Sequence, residues 1–174
     1  MPAKERLVAL LRAVNVGGTG KLPMAELKAI CRAAGFADVE TYIASGNVVF
    51  DCPAGPEAAK QALEAALEAH AGKPVAVFVR TAAEIAAVAA ENPFAGCEAK
   101  KVSAFFLDEP PPVDAVEAAR NRASEEIALG RREIYVHYPE GMGRSKLRLP
   151  AAEAGTARNM NTVAKLAEMA TGET

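Results

Sequence analysis

Residues 38–51 read DVETYIASGNVVFD: two runs rich in β-branched and aromatic residues, separated by Ser45-Gly46-Asn47. Val, Thr, Tyr, Ile and Phe suit a pleated, half-buried surface, and Ser-Gly-Asn is turn chemistry. The stretch therefore predicts two consecutive strands joined by a short turn. Helical patterns stand on both sides of it, so the pair interrupts what would otherwise be simple parallel strand–helix–strand units.

Before the hairpin, RLVALLR (6–12) is short and apolar enough for a central strand. Pro23 then opens a helix with Met24, Leu27, Ile30 and Ala34 at helical spacing, closed by Gly35. After the hairpin, GPEAAKQALEAALEAHAG (55–72) predicts an amphipathic helix with Leu63 and Leu67 inward. PVAVFVR (74–80) is a strand, and TAAEIAAVAAEN (81–92) opens with Thr81 and Glu84 at capping-box spacing. The resulting order, strand–helix–strand–strand–helix–strand, is the ferredoxin-like βαββαβ pattern.

Beyond the loop NPFAGCEAKK (92–101) the pattern starts again. VSAFFLD (102–108) is a strand and EPPPVDAVEAARN (109–121) a proline-initiated helix. EEIALG and REIYVHYP form a hairpin across Gly130 and Arg131. The glycine-rich loop EGMGRSKL (140–147) leads into a helical turn, and TARNMNTVAKLAEMA (156–170) is a closing helix. The last strand of the second pattern is missing or replaced. The expected fold is thus α+β, two tandem ferredoxin-like subdomains with a C-terminal helix, divided into residues 1–96 and 97–174.

Composition narrows the function classes. The chain has 174 residues, a net charge of -2 and 5% aromatic residues with no Trp. That balance disfavours extended nucleic-acid wrapping and base stacking, which need an excess of cations and exposed rings. No apolar run approaches the roughly 20 residues that span a bilayer, and no signal peptide is read. The three cysteines, Cys31, Cys52 and Cys97, are far apart and form no CxxC pair. They read as reduced thiols of a cytoplasmic protein. Two histidines without ligand-spaced partners predict no metal site.

NVGGTGKLP (15–23) looks like a phosphate cradle but fails as a Walker A loop. Asn15 stands where the first glycine belongs and Leu22 where the magnesium-binding hydroxyl belongs. Glycines followed by a helix N-terminus and Lys21 can still face an anion. The C-terminal segment offers more. Its presumed first turn, TARNMNT, carries Thr156, Arg158, Asn159 and Asn161 where Asp or Glu is usual. GMGRSK adds Arg144, Ser145 and Lys146. Cations, amides and hydroxyls without carboxylates suit a phosphate or carboxylate ligand. Glu125 and Glu126 are adjacent on a strand, so they face opposite ways and form no acid–base pair.

The segments ALLRAVNVGG, KLPMAELKAICRAAGF, VETYIASGNVVF, VFVR, NPF, GRSKL and TARNMNTVAKLAEM together resemble the bacterial domain-of-unknown-function family numbered 1697. The resemblance runs from about residue 6 to about residue 170. It implies a tandem pair of α+β subdomains and no established activity. Its polar positions fall on Arg12, Asn15, Lys21, Ser45, Asn47, Arg80, Asn92, Lys146, Arg158, Asn159 and Thr162. Ala13 stands where glycine is common, and Met160 where tryptophan is common, which weakens any stacking role there.

None of the polar set titrates near neutral pH, so it holds an anion better than it moves protons. The expectation is a ligand-binding site for a phosphorylated small molecule, nucleotide or nucleic-acid end, in a cleft between the subdomains. Its residues are Arg12, Asn15, Lys21, Ser45, Asn47, Arg80, Lys146, Arg158 and Asn159. One alternative is an enzyme acting on a phosphorylated substrate. The other is a scaffold whose Arg and Asn side chains form an internal network. No cofactor is assigned.

Overall fold

The computed structural model describes residues 6–12, 22–43 and 46–172. Internal contacts divide the chain into two compact units, residues 1–86 with 166–174, and residues 87–165.

The first unit holds β1 (Arg6–Leu11), α1 (Met24–Ala33), β2 (Ala37–Thr41), β3 (Asn47–Asp51), α2 (Pro56–Ala71) and β4 (Val77–Thr81). Its sheet runs β2-β3-β1-β4, and every neighbouring pair is antiparallel. The hairpin is present. Tyr42 N–H donates to the Asn47 carbonyl, and the Asn47 side-chain amide returns a 2.8 Å bond to the Tyr42 carbonyl. Gly46 takes φ 89°, a conformation costly for residues with a Cβ.

One row of the sheet, Leu7, Ala9, Leu11, Val48, Phe50, Val77 and Val79, packs with Leu27 and Cys31 of α1 and Leu63 and Leu67 of α2. Phe36 stacks on Phe50 with centroids 4.3 Å apart. The alternate row, Val8, Leu10, Asn47, Val49, Phe78 and Arg80, is buried as well. Burial of both rows explains why RLVALL reads as a continuous apolar run. The Lys60–Glu64 pair of α2 ties that helix to β4: Lys60 Nζ donates to the Val77 carbonyl, and Glu64 accepts from Val77 N–H.

α3 (Ala82–Ala90) follows β4 directly through the expected capping box. Glu84 N–H donates to Thr81 Oγ1, and Thr81 N–H to the Glu84 carboxylate.

The second unit holds β5 (Val102–Phe106), β6 (Glu126–Leu129), β7 (Glu133–His137) and β8 (Thr156–Asn159), and α4 (Met160–Thr171) follows β8. Its sheet runs β6-β7-β5-β8, again antiparallel throughout. In each sheet the first strand in chain order is central, flanked by the third and fourth, with the second outermost beyond the third. The structure is thus α+β, with two four-stranded antiparallel sheets and four helices among the described residues.

Two expectations for the second half need correction. The last strand is present: Thr156–Asn159 pairs with β5, so the closing helix begins at Met160, four residues later than its sequence suggests. EPPPVDAVEAARN is a series of turns with isolated backbone bonds, such as Ala118 N–H to the Asp114 carbonyl. Its apolar positions do not share a buried face: Ala115 is buried while Val113 is 95% exposed. The loop EGMGRSKL contains a 3-10 turn, Met142–Arg144, then runs extended toward a second at Pro150–Ala152. Turns and loops therefore do here what helices do in the first unit. Leu107, Ala115, Leu149 and Ala152 pack on Ile134, Val136 and Tyr138.

Candidate functional site

Six of the nine expected site residues lie among the described residues; Asn15, Lys21 and Ser45 lie outside them. Arg80 and Arg158 occupy corresponding places. Each is the penultimate residue of the last strand in its sheet, opposite the third residue of the central strand: Val8 for Arg80 and Ala104 for Arg158. Both side chains are buried, at 1% and 6% exposure. Each folds back on its own strand. Arg80 Nη1 donates to the Val79 carbonyl at 3.1 Å, and Arg158 Nη1 to the Ala157 carbonyl at 2.9 Å and Thr156 Oγ1 at 2.7 Å. Burial pulls the Arg158 pKa down to about 10, because the charged guanidinium has lost water. Arg158 and Thr156 thus stand on a strand, not at the helix N-terminus expected from sequence.

The residue after each arginine caps the helix that follows. Thr81 bonds Glu84 N–H, and Asn159 Oδ1 accepts from Thr162 N–H at 3.0 Å. Behind these caps Ile85 and Val88 in one helix match Val163 and Leu166 in the other, all buried. VRTAAEIAAV and ARNMNTVAKL are therefore one structural phrase used twice, with little shared sequence beyond the arginine. Met160 is 5% exposed and serves packing.

The amides share this framework role. Asn47 is fully buried and closes the hairpin, and Asn92 Oδ1 accepts from Phe94 N–H at 2.9 Å. Arg12 is exposed at the end of β1, where its N–H donates to the Ala76 carbonyl.

Lys146 is different. Residues 144–149 alternate: Arg144, Lys146 and Arg148 are exposed, while Ser145, Leu147 and Leu149 turn inward. The side chains of these three cations have no hydrogen-bond or ion-pair partner among the described residues. Arg144 and Lys146 line a cavity of about 240 Å³ together with Tyr138, Glu125 and Asn121. On the other side of Tyr138 and Ser145 lies an apolar cavity of about 300 Å³ lined by Phe105, Met142, Leu147 and Leu149, with Arg148 at its wall.

A carboxylate holds this loop. Glu125 is 6% exposed, accepts from Ser145 Oγ at 2.5 Å and from Ala123 N–H at 2.6 Å, and its carbonyl accepts from Arg122 Nε at 2.8 Å. The Ser145 hydroxyl, then the Ala123 N–H, hold its pKa below the ordinary carboxylate value. Glu126 faces the other way, 3.5 Å from His137, as the alternation of a strand requires. Sequence reasoning missed the Glu125–Ser145 contact and Arg148; the strict alternation of RSKLRL was the available signal for the latter. Phe50 and Phe106 are core, and Phe105 is half-buried and lines the apolar cavity.

Cys31, Cys52 and Cys97 are free, and burial pushes the Cys31 thiol up to about 12. Among the described residues no cluster of three or more His, Cys, Asp or Glu is placed to hold a metal, and no helix is long and apolar enough to cross a membrane.

Two antiparallel sheets of one strand order, each ending in an arginine-bearing strand that feeds a capped helix, define the class: an α+β protein with two four-stranded antiparallel sheets. The chain belongs to the family described as "Protein of unknown function (DUF1697)", whose model matches residues 5–135. Among solved structures it is similar to the conserved bacterial protein SP0830 from Streptococcus pneumoniae. The two share 26% identity and a TM-score of 0.78, over 96% of this chain and 99% of that one. No curated protein matches the chain.

Proposed function

We propose that the protein binds a phosphate-bearing ligand, and that the binding surface is the Gly141–Leu149 loop of the second unit. One observation carries this reading: Arg144 and Lys146 line a cavity and engage no side-chain partner among the described residues. Arg and Lys without internal partners, beside a hydroxyl and glycines that admit close approach, are suited to phosphate oxygens. In this reading Lys146 meets the ligand. Asn47, Arg80, Arg158 and Asn159 hold the framework.

A second reading, that the Arg and Asn set is wholly architectural, draws on Arg80 and Arg158 bonding to their own strands. Titration of inorganic phosphate, nucleotides, phosphosugars and short oligonucleotides separates the two. Binding of one of them, weakened about tenfold by Lys146→Gln or Arg144→Gln with the far-UV spectrum intact, supports the first. A set of ligands that all fail to bind the wild type leaves the architectural reading alone.

The tandem ferredoxin-like description and the division at residues 96/97 belong to this proposal too. The β2-β3-β1-β4 order with two helices on one face supports it for the first half. The second half repeats the strand order without those helices, and all strands of the two sheets fall on their own sides of residue 96.

A further inference from the structure

Outside the two sheets the chain forms an isolated antiparallel bridge between Arg120 and Arg148. Each backbone N–H donates to the other's carbonyl at 2.8 Å. Residues paired in this way project their side chains to the same side of the ladder, and like charges placed so are destabilising. Both arginines are exposed, and neither side chain has a hydrogen-bond or ion-pair partner among the described residues.

The charge does not stop at this pair. Two residues back along the second segment comes Lys146, exposed, and beyond it Arg144 at the end of a 3-10 turn; on the first segment the chain turns at Asn121, φ 57°, and Arg122 Nε donates to the Glu125 carbonyl. The segments are still adjacent there, because Ser145 bonds Glu125. Five cations thus lie on two neighbouring stretches of a chain whose net charge is -2. Alternate residues of an extended segment are spaced by about 6.6 Å, so Lys146 and Arg148 form successive stations along a strip. Of the acids beside it, Glu125 is committed to Ser145 and Ala123, Glu140 stands on the wall of the polar cavity, and Glu153 lines the apolar cavity with Arg148.

We infer that this strip binds a ligand carrying two or more linked phosphate groups, with Arg120 and Arg148 clasping one and Lys146 meeting another. A single phosphate satisfies one station. A linked pair engages both, which is why the strip selects oligophosphate over orthophosphate. The inference rests on the loop being the binding surface proposed above, and extends it to Arg120 and to the pairing of Arg148. The apolar cavity beside Arg148 sets out two sources of the same chemistry: an inorganic oligophosphate uses the strip alone, and a nucleoside oligophosphate also fills the cavity.

The test is calorimetric titration of the full chain at low salt with orthophosphate, inorganic tripolyphosphate and a nucleoside triphosphate. Tripolyphosphate binds at least tenfold tighter than orthophosphate, with an affinity that falls steeply as salt is raised. Arg120→Gln and Arg148→Gln each weaken it about tenfold and flatten the salt dependence. Arg148→Lys, which keeps the charge, recovers part of the affinity. Removing either member of the facing pair leaves the Tm of the ligand-free chain unchanged or higher, a result that a purely structural arginine would not give. A nucleoside triphosphate binding tighter than tripolyphosphate, by a margin lost in Leu147→Gln, assigns the cavity to the organic group. Equal affinity for ortho- and tripolyphosphate overturns the inference. So does undiminished binding by Arg120→Gln/Arg148→Gln while Lys146→Gln fails to bind, an outcome that leaves the phosphate-binding loop standing. If no phosphate compound binds, both fall together.

Discussion

The two sheets share a strand order and differ in what covers them. β2-β3-β1-β4 carries α1 and α2 on one face, with Leu27, Cys31, Leu63 and Leu67 filling the space. β6-β7-β5-β8 is covered by turns and loops that contribute Leu107, Ala115, Leu149 and Ala152. Common to both is the junction where the last strand feeds a helix: a buried arginine, then a capping side chain. The architecture is therefore held by strand pairing and these junctions, and the covering layer is free to differ. It is that substituted layer which presents the unengaged cations.

The largest expected effect tests whether the two junctions are equivalent. Arg80→Ala and Arg158→Ala each remove a buried side chain and should cost about 3 kcal/mol in denaturant unfolding. A cost confined to one of them breaks the correspondence. Next is Gly155, just before β8. A Cβ there would sit 2.5 Å from the Phe106 carbonyl oxygen and 2.8 Å from Leu107 Cδ2. Gly155→Ala should destabilise by about 2 kcal/mol, whereas Gly96→Ala, where a Cβ meets nothing within 4 Å, should not. Equal Tm values for both would show that the close approach is not rigid.

Smaller effects sharpen the comparison at the caps. Thr81→Ala and Asn159→Ala should each cost about 1 kcal/mol. Thr81 should cost less, because the backbone N–H at position 81 still donates to the Glu84 carboxylate after its hydroxyl is lost. The smallest effect belongs to the second unit alone. The folded pKa of Glu125 lies below its unfolded value, so its contribution is complete above the unfolded carboxyl pKa, about 4.3. It is lost as pH falls through the lower folded value. The Tm gap between wild type and Glu125→Gln should be constant above about pH 5 and close in acid. A gap that widens in acid would contradict the assigned hydrogen bonds.

The first sheet was legible because its signals are local. The Ser45-Gly46-Asn47 turn composition, the Pro56 and Gly72 helix boundaries and the Thr81/Glu84 box each act within a few residues. The second sheet was less so. Thr156–Asn159 has little strand propensity, and becomes a strand because its backbone pairs with β5. EPPPVDAVEAARN has helical spacing, but three successive prolines stand in its first turn and its apolar positions share no buried face to stabilise a helix. For the candidate site, the basic character of GRSKL was visible in composition. The withdrawal of Arg158 into the interior was not, since arginine is seldom buried. The facing of Arg120 and Arg148 arises only from tertiary pairing of segments remote in sequence.

The turn-built stretch between β5 and β6 has one further consequence. Deleting a residue from a packed helix rotates everything after it by about 100°, so a sheet roofed by helices tolerates few changes of length. A roof made of turns has no such phase to preserve. The strands beneath should therefore keep their register when residues 108–124 are lengthened, shortened or recharged.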